Sequence, residues 1–195
     1  MRTLIITAFV SLDGVMEAPG GEQGYRNAGW TFKDVPFDES AYEIKEREQQ
    51  EAAALLIGRC SYEAFSPVWP TMTTEFARFN ALPKYVVSTT LKEEDLVGDW
   101  GEITILRSAE EVARLRKTNG GPISVHGSAT LGHALADAGL VDRYHLLVFP
   151  LLLGAGKRLF STADKDAEKL DLVEHEVYSN GVQKMIYNVV RKEDS

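Results

Sequence analysis

The sequence predicts an α/β protein: a mostly parallel central sheet flanked by helices and completed by a C-terminal antiparallel hairpin. Three observations point there. Short apolar runs rich in β-branched residues recur along the chain, as in strands covered on both faces. Several of them stop at small residues that open directly into a helical pattern, the arrangement of strand–helix crossovers. Near the end, Lys169–Tyr178 and Val182–Val190 flank Ser179-Asn180-Gly181, and Asn-Gly is a strong hairpin signal.

Thr3 to Val10 reads as a central strand ending in the turn Ser11-Leu12-Asp13-Gly14, followed by a Gly- and Pro-containing loop from Val15 to Trp30. Asp38 or Ser40 caps a helix through Tyr42 and Ile44, and most of the charge run Glu43–Glu51 reads as its solvated face. Ala53–Ile57 is a short buried strand closing at Gly58-Arg59. A helix opens near Ser61 and stops before Pro67. Lys84–Val87 and Ile103–Leu106 are further strands. Ser108 with Glu111 is a capping-box pair for a helix reaching Lys117. Ile123 and Val125 mark a strand that ends at Gly127-Ser128, where a helix begins and runs to Gly139. Tyr144–Leu153 is apolar but interrupted by Pro150.

Composition sets outer bounds. A chain of 195 residues without linker, repeat or low-complexity tract suggests one domain over 1–195. It is 44% hydrophobic and 26% charged, ordinary for a globular protein. Twenty-one basic against 29 acidic residues give −8, which argues against a nucleic-acid or anionic-membrane surface. One cysteine permits no internal disulfide and fits a reducing compartment. The N-terminus lacks a signal-peptide pattern, and no apolar run approaches the ~20 residues that span a bilayer. A cytoplasmic location is expected.

Three strand ends share one chemistry: Gly58-Arg59 with Ser61, Ser88-Thr89-Thr90, and Gly127-Ser128-Ala129-Thr130-Leu131 after Val125. Phosphate recognition uses backbone amides at a helix start, hydroxyls and an arginine fork. In open α/β sheets, ligands bind at the carboxyl ends of the strands near a switch in strand order. A dinucleotide carrying an extra ribose phosphate would use all three corners. Its pyrophosphate would lie at Gly127–Leu131 and the ribose phosphate between Arg59 and Ser88-Thr89. Each corner taken alone is equally an ordinary turn.

Leu55-Leu56-Ile57-Gly58-Arg59-Cys60-Ser61-Tyr62 resembles the Gly-Arg-x-Thr-Tyr corner of dihydrofolate reductases. Together with Phe9-Val10-Ser11-Leu12-Asp13-Gly14, His126-Gly127-Ser128 and Pro150–Gly156, the chain is similar to the dihydrofolate-reductase-like C-terminal reductase domain of bacterial riboflavin biosynthesis, in its stand-alone form. The resemblance implies an NADPH-dependent reductase, often homodimeric, acting on a pterin or a ribosylaminopyrimidine. It carries Gly58, Arg59 and Ser61 to one cofactor corner, Ser88, Thr89 and Thr90 to the ribose-phosphate corner, and Gly127–Leu131 to the pyrophosphate corner. Ala8 and Phe9 match the nicotinamide-facing strand end. Ser61 stands where threonine is usual, and Cys60 where a basic residue often stands.

The proton source has no clear match. Dihydrofolate reductases place a carboxylate on the first helix, which here is full of acids. Asp13 is the candidate, with a turn-forming role as the equal alternative. Ser11, Gly154 and Gly156 are the remaining candidates around the substrate, and Trp30, which reads as a packing residue like Trp69 and Trp100, could also close the active-site loop there. Gly154-Ala155-Gly156-Lys157-Arg158 fails both the phosphate-loop and the dinucleotide glycine patterns. Histidines 126, 133, 145 and 175 lack metal-ligand spacing, and His145 and His175 read as structural. The missing helix carboxylate also motivates a second reading: a nucleotide-binding or stress-related protein that keeps the fold without turnover.

Overall fold

β-branched and aliphatic residues set the strands, and the turns between them decide where each helix leaves. The computed structural model describes residues 1–191. Its elements are β1 (Leu4–Ser11), α1 (Trp30–Lys33), α2 (Glu39–Glu51), β2 (Ala54–Gly58), α3 (Arg59–Phe65), α4 (Ala77–Ala81) and β3 (Lys84–Val87). There follow β4 (Ile103–Leu106), α5 (Ala109–Arg116), β5 (Ile123–His126), α6 (Ala129–Asp137), β6 (Arg143–Phe149), β7 (Leu170–Val177) and β8 (Gln183–Val189). The sheet order is β4-β3-β2-β5-β1-β6-β8-β7. It is parallel from β4 to β6 and antiparallel from β6 through β8 to β7. This is the α/β, dihydrofolate-reductase-like architecture with its C-terminal hairpin.

Crossovers between parallel strands are right-handed. The chain moves one way from β2 to β3 and the other way from β5 to β6, so the connecting helices fall on opposite faces. Alternation along β1 agrees with this. Leu4, Ile6, Ala8 and Val10 enter the core that holds Val112 of α5 and Leu131 and Leu135 of α6. Leu55 and Ile57 of β2 meet Tyr62 of α3 and Phe79 of α4 on the other side. Ala41 and Ile44 of α2 pack on that side with Leu147, Phe149 and Ile186. No helix of the described residues is long and apolar enough to cross a membrane.

Local chemistry explains the boundaries. Asp38 is the cap of α2, its carboxylate accepting from Ser40 N–H at 3.1 Å. Ser108 caps α5 by accepting from Glu111 N–H, but the Glu111 carboxylate reaches back to Arg107 N–H at 2.6 Å instead of closing a box on Ser108. β6 stops at Phe149 because Pro150 cannot donate to a ladder. The short helices α1 and α4 are not visible in the sequence pattern. Both lie under aromatic packing, where tertiary burial rather than periodicity fixes them.

Trp30 is a core residue, not a lid over substrate. Its side chain is 0% exposed, its indole N–H donates to Glu17 O at 2.8 Å, and its ring meets Phe149 edge-on at 5.3 Å. The Val15–Trp30 loop is therefore anchored at its far end. Trp30→Ala is expected to lower unfolding free energy by about 3–5 kcal/mol, read from urea midpoints. A loss under about 1 kcal/mol would contradict the anchoring role.

Candidate active site

Strand lengths cut a notch in the rim. β5 ends at His126, which pairs with Thr7 of β1, while Leu56 of β2 pairs with Val125. β1 continues four residues beyond Thr7, and β6 keeps pace with it, Ser11 pairing with Phe149. The open ground above β5 thus lies between the taller β1 and β2. It is also where chain direction across the sheet reverses, the position at which such sheets bind ligands.

The turns on either side of this notch interlock. A Cβ on Gly58 would stand 2.5 Å from Ser128 Oγ and 2.7 Å from Ser128 Cβ. A Cβ on Gly127 would stand 2.6 Å from Ser61 Oγ. Each glycine makes room for the other turn's serine. Gly127 and Ser128 both have positive φ, 67° and 58°, which turns the chain sharply into α6. Ser128 caps that helix, accepting from Leu131 N–H at 3.3 Å, while its carbonyl takes Gly132 N–H. The amides of Ala129 and Thr130, at the first helical positions, have no intrahelical carbonyl to reach. They sit at the positive end of the helix dipole.

The third corner lies one strand further out, on β3. Ser88 Oγ accepts from Thr90 N–H at 3.2 Å and Leu91 N–H at 2.9 Å, so its oxygen closes its own turn. Thr89 and Thr90 are exposed. Arg59 is exposed and pairs with Glu63 one helical turn on, at 2.7 Å, which raises the already high guanidinium pKa. Arg107, which sequence reasoning did not single out, arrives from the end of β4. Its guanidinium donates to Ser88 O at 2.9 Å and Leu91 O at 2.7 Å. Its signal in the sequence was a basic residue directly after the fourth apolar run.

Several predicted contacts can act only through backbone. The side chains of Ala8, Val125 and Leu131 are buried in the core on the α6 face, and Ala129 is buried as well. Phe9 points to the opposite face, against Tyr42 and Phe149.

The Asp13 carboxylate is bound into its own turn. It accepts from Ser11 Oγ at 2.6 Å, Leu153 N–H at 3.1 Å and Gly154 N–H at 2.7 Å. The Ser11 hydroxyl first, then those two amides, hold its carboxyl down at about 2 against the opposing effect of burial. Ser11 is likewise spent: buried, it donates to Asp13 and accepts from Val15 N–H at 2.9 Å. Gly154 receives the Asp13 anchor, and a Cβ on Gly156 would meet Val15 at 2.6 Å. Arg158 donates to Asp13 O and to Gly154 O. The glycine loop is thus a strap stitched to the end of β1. The contacts of Asp13 are those of the turn-forming alternative.

A buried ionic cluster lies beneath Phe9, on the α2 face of β1. Thr7 Oγ1 donates to the Glu48 carboxylate at 2.9 Å, His145 Nδ1 lies 3.0 Å from Glu48 Oε1, and Lys45 Nζ lies 3.1 Å from Glu48 Oε2. Lys45 also donates to Thr7 Oγ1 and stands 4.9 Å from the centre of the Phe9 ring. Burial alone would raise the Glu48 carboxyl. The Lys45 ammonium and the His145 bond outweigh it and hold the group at about 2. His126, at the floor of the notch, packs edge-on to Trp69 and Phe79, and its Nε2 is buried without a partner among the described residues. Burial drives it down to about 4, only partly offset by Glu48. Most of the acidic run on α2 is solvated, but Glu48 falls on the face of Ala41 and Ile44. An acid at a core-facing helical spacing was the available signal.

A cavity of about 230 Å³ lies elsewhere. It lies between α6, β6 and the segment leading to β7, lined by His133, Tyr144, Phe160 and Leu170, and shares no residue with the notch.

Comparison with known proteins gives concordant results. The family model described as the RibD C-terminal domain matches residues 2–184. The uncharacterized protein YyaP of Bacillus subtilis strain 168 is 29% identical over 195 residues, covering 96% of this chain and 95% of that one. A riboflavin-biosynthesis candidate from Shewanella sp. PV-4 superposes with a TM-score of 0.73 at 18% identity, over 97% of this chain and all of that one. A pyrimidine reductase-like protein from Corynebacterium diphtheriae gives 0.63 at 15%, over 98% of this chain and 93% of that one. Acinetobacter baumannii RibD gives 0.63 at 15%, with 98% of this chain aligned to 59% of that longer one. At these identities the structural likenesses establish the fold.

Two measurements check the site's geometry. Gly58→Ala is expected to cost about 1–3 kcal/mol by overpacking. Added to Gly58→Ala, Ser128→Gly should recover much of that, so a double-mutant cycle by urea unfolding gives a coupling of at least ~1 kcal/mol. Additive losses would show that the turns do not interlock. The buried cluster fixes the sign of acid lability. Depressed in the folded state, His126 and Glu48 contribute stability that is full above their ordinary values of 6.5 and 4.5. It is lost as pH falls towards about 4 and about 2. Between pH 7 and pH 5 the wild type should lose about 2 kcal/mol more than His126→Phe. Equal losses would show that His126 titrates normally.

Proposed function

The chain belongs to the RibD C-terminal domain family, and from that premise we propose that it is an NADPH-dependent reductase of a small heterocycle, a pterin or a ribosylaminopyrimidine. The observation that carries the reading is the interlocked pair of turns at the foot of α6, with Arg59 at the end of the next strand and Arg107 two strands beyond it. The helix amides of Ala129 and Thr130, beside the hydroxyl-bearing turns that Gly58 and Gly127 allow to close on each other, suit a pyrophosphate. Ser128, a non-glycine residue at φ 58°, gives up a favourable backbone conformation to make that turn, a cost that binding sites accept.

The ribose phosphate would sit between Arg59, Arg107 and the Ser88-Thr89-Thr90 turn. Arg107 is oriented by two neutral carbonyls, so its charge stays available. The Arg59–Glu63 pair is an exposed i,i+4 contact, of a kind worth only about 0.3–0.5 kcal/mol. A dianionic phosphate displaces such a partner at little cost. The nicotinamide end would reach along β1 to Phe9, and the heterocycle would lie in the notch over His126. When bound, the reduced nicotinamide supplies the hydride. The chain's own residues orient the two rings, exclude water and deliver a proton. Pyrimidine chemistry is favoured by the relatives named for RibD and pyrimidine reduction. A homodimer and a cytoplasmic setting are part of the same reading.

Thermal unfolding with NADPH, NADH and neither tests it. Ligand at 100 times its dissociation constant adds about 2.7 kcal/mol. NADPH should stabilise more than NADH. Arg59→Ala and Arg107→Ala should each weaken NADPH about tenfold while leaving NADH nearly unchanged. Equal losses would remove the ribose-phosphate role. Absence of any shift would remove the cofactor. Stabilisation without oxidation by 7,8-dihydrofolate or a ribosylaminopyrimidine would favour a binding protein that keeps the fold.

A further inference from the structure

We propose that Lys45 is the proton donor of the reduction, held for that task by Thr7 and Glu48; the assignment rests on the reductase reading above. Reducing a C=N or C=O bond needs a proton at the heteroatom as hydride reaches the carbon. The carboxylates near the notch cannot give one. Asp13 is saturated by a hydroxyl and two amides, two strands away from β2 at the far end of β1. Glu48 accepts from Thr7, Lys45 and His145 at once, and an ionised carboxylate has no hydrogen to donate.

Lys45 is the member of this cluster with a donor to spare. An ammonium has three N–H groups. One goes to Thr7 Oγ1 and one to Glu48 Oε2. The side chain is 18% exposed, whereas those of Glu48 and His145 are sealed at 3% and 2%. Its position is set by the strand register. Thr7 faces His126 across the sheet at the level where β5 ends, and Phe9, next above Thr7 on the same face, lies 4.9 Å from Nζ. The amine therefore stands at the wall of the notch, beside the strand end proposed for the nicotinamide. Glu48, the two histidines 126 and 145, and Tyr42 beyond Phe9 are the titratable groups around it.

The step balances. Hydride passes from the reduced nicotinamide to the electrophilic carbon, and the π pair moves to the heteroatom. That atom takes a proton from Lys45 Nζ, leaving a neutral amine and oxidised nicotinamide. The amine regains a proton from water through its exposed edge.

Two variants separate chemistry from structure. Lys45→Arg keeps the cation against Glu48 but is far too weak an acid to donate. It should bind NADPH within threefold of wild type by fluorescence titration yet lose 10²–10⁴-fold in kcat. Lys45→Ala should recover activity with added methylammonium, more strongly as the added amine becomes more acidic. A readout without turnover completes the test. The Lys45 ε-carbon resonance should shift when NADP+ and the product-type pyrimidine 5-amino-6-ribitylaminouracil bind together. Full activity in Lys45→Arg, failure of amine rescue in a folded Lys45→Ala, or an unmoved resonance with the pyrimidine bound would each overturn the proposal while leaving the reductase reading intact. A wild type that binds neither NADPH nor the pyrimidine would overturn both, and shows itself before any variant is made.

Discussion

The contact on which the rest depends is the one between two turns, Gly58 against Ser128 and Gly127 against Ser61. β2 and β5 are neighbours whose helices depart to opposite faces, so their turns diverge immediately above the sheet. The space that a β-carbon at either glycine would take is filled by the other turn's serine, so neither turn can carry a larger residue without parting the two. The same contact brings the N-terminus of α6 to the notch and brings α3, with Arg59 at its start, to the other side of it. A strand order that reversed elsewhere would scatter these groups. A bulkier turn would push them apart.

Much of this was legible in the sequence because strand ends are punctuated by local chemistry. Gly58-Arg59, Ser88-Thr89 and Gly127-Ser128 interrupt apolar runs with residues that cannot continue a covered strand, and Asn180-Gly181 marks the hairpin. What escaped was set by tertiary partners. Trp30 read as a packing residue that could also close the loop, but nothing local says that Phe149 is the ring it packs against. Asp13 and Ser11 had the residue types for chemistry, yet the segment 151–159, about 140 positions away, supplies the amides that consume the carboxylate. Arg107 became relevant only because β4 pairs with β3, an adjacency the chain order alone does not reveal. Glu48 was hidden by abundance, one buried acid within a run of solvated ones.

The buried cluster shows how an acidic protein keeps charge inside without leaving it exposed to an apolar medium. Isolated, a buried carboxylate would take up a proton. Glu48 instead has three donors, one of them the Lys45 cation one helical turn away, and the Lys45–Glu48 pair is close to neutral as a unit. Such pairs contribute little net stability compared with an apolar core, because desolvation offsets attraction. Their value is geometric. Thr7 is fixed to β1, Glu48 and Lys45 to α2, and His145 to β6, so the cluster pins a helix to two strands at the level of the notch.

That division bears on why a lysine rather than an acid stands ready at this wall. A carboxyl group serves as a proton donor near neutral pH when burial lifts its pKa and nothing nearby compensates. On this rim every candidate carboxylate is compensated, Asp13 by a turn and Glu48 by a cation, and each is held at about 2. Removing the compensation would not simply free an acid. At Asp13 it would detach the strap from β1, and at Glu48 it would strip the partners that orient α2 against the sheet. The acids are committed to architecture, and Lys45 is the cation that their commitment leaves pointing at solvent. Proton delivery from the opposite side of the same ion pair follows from the packing that holds the pair in place.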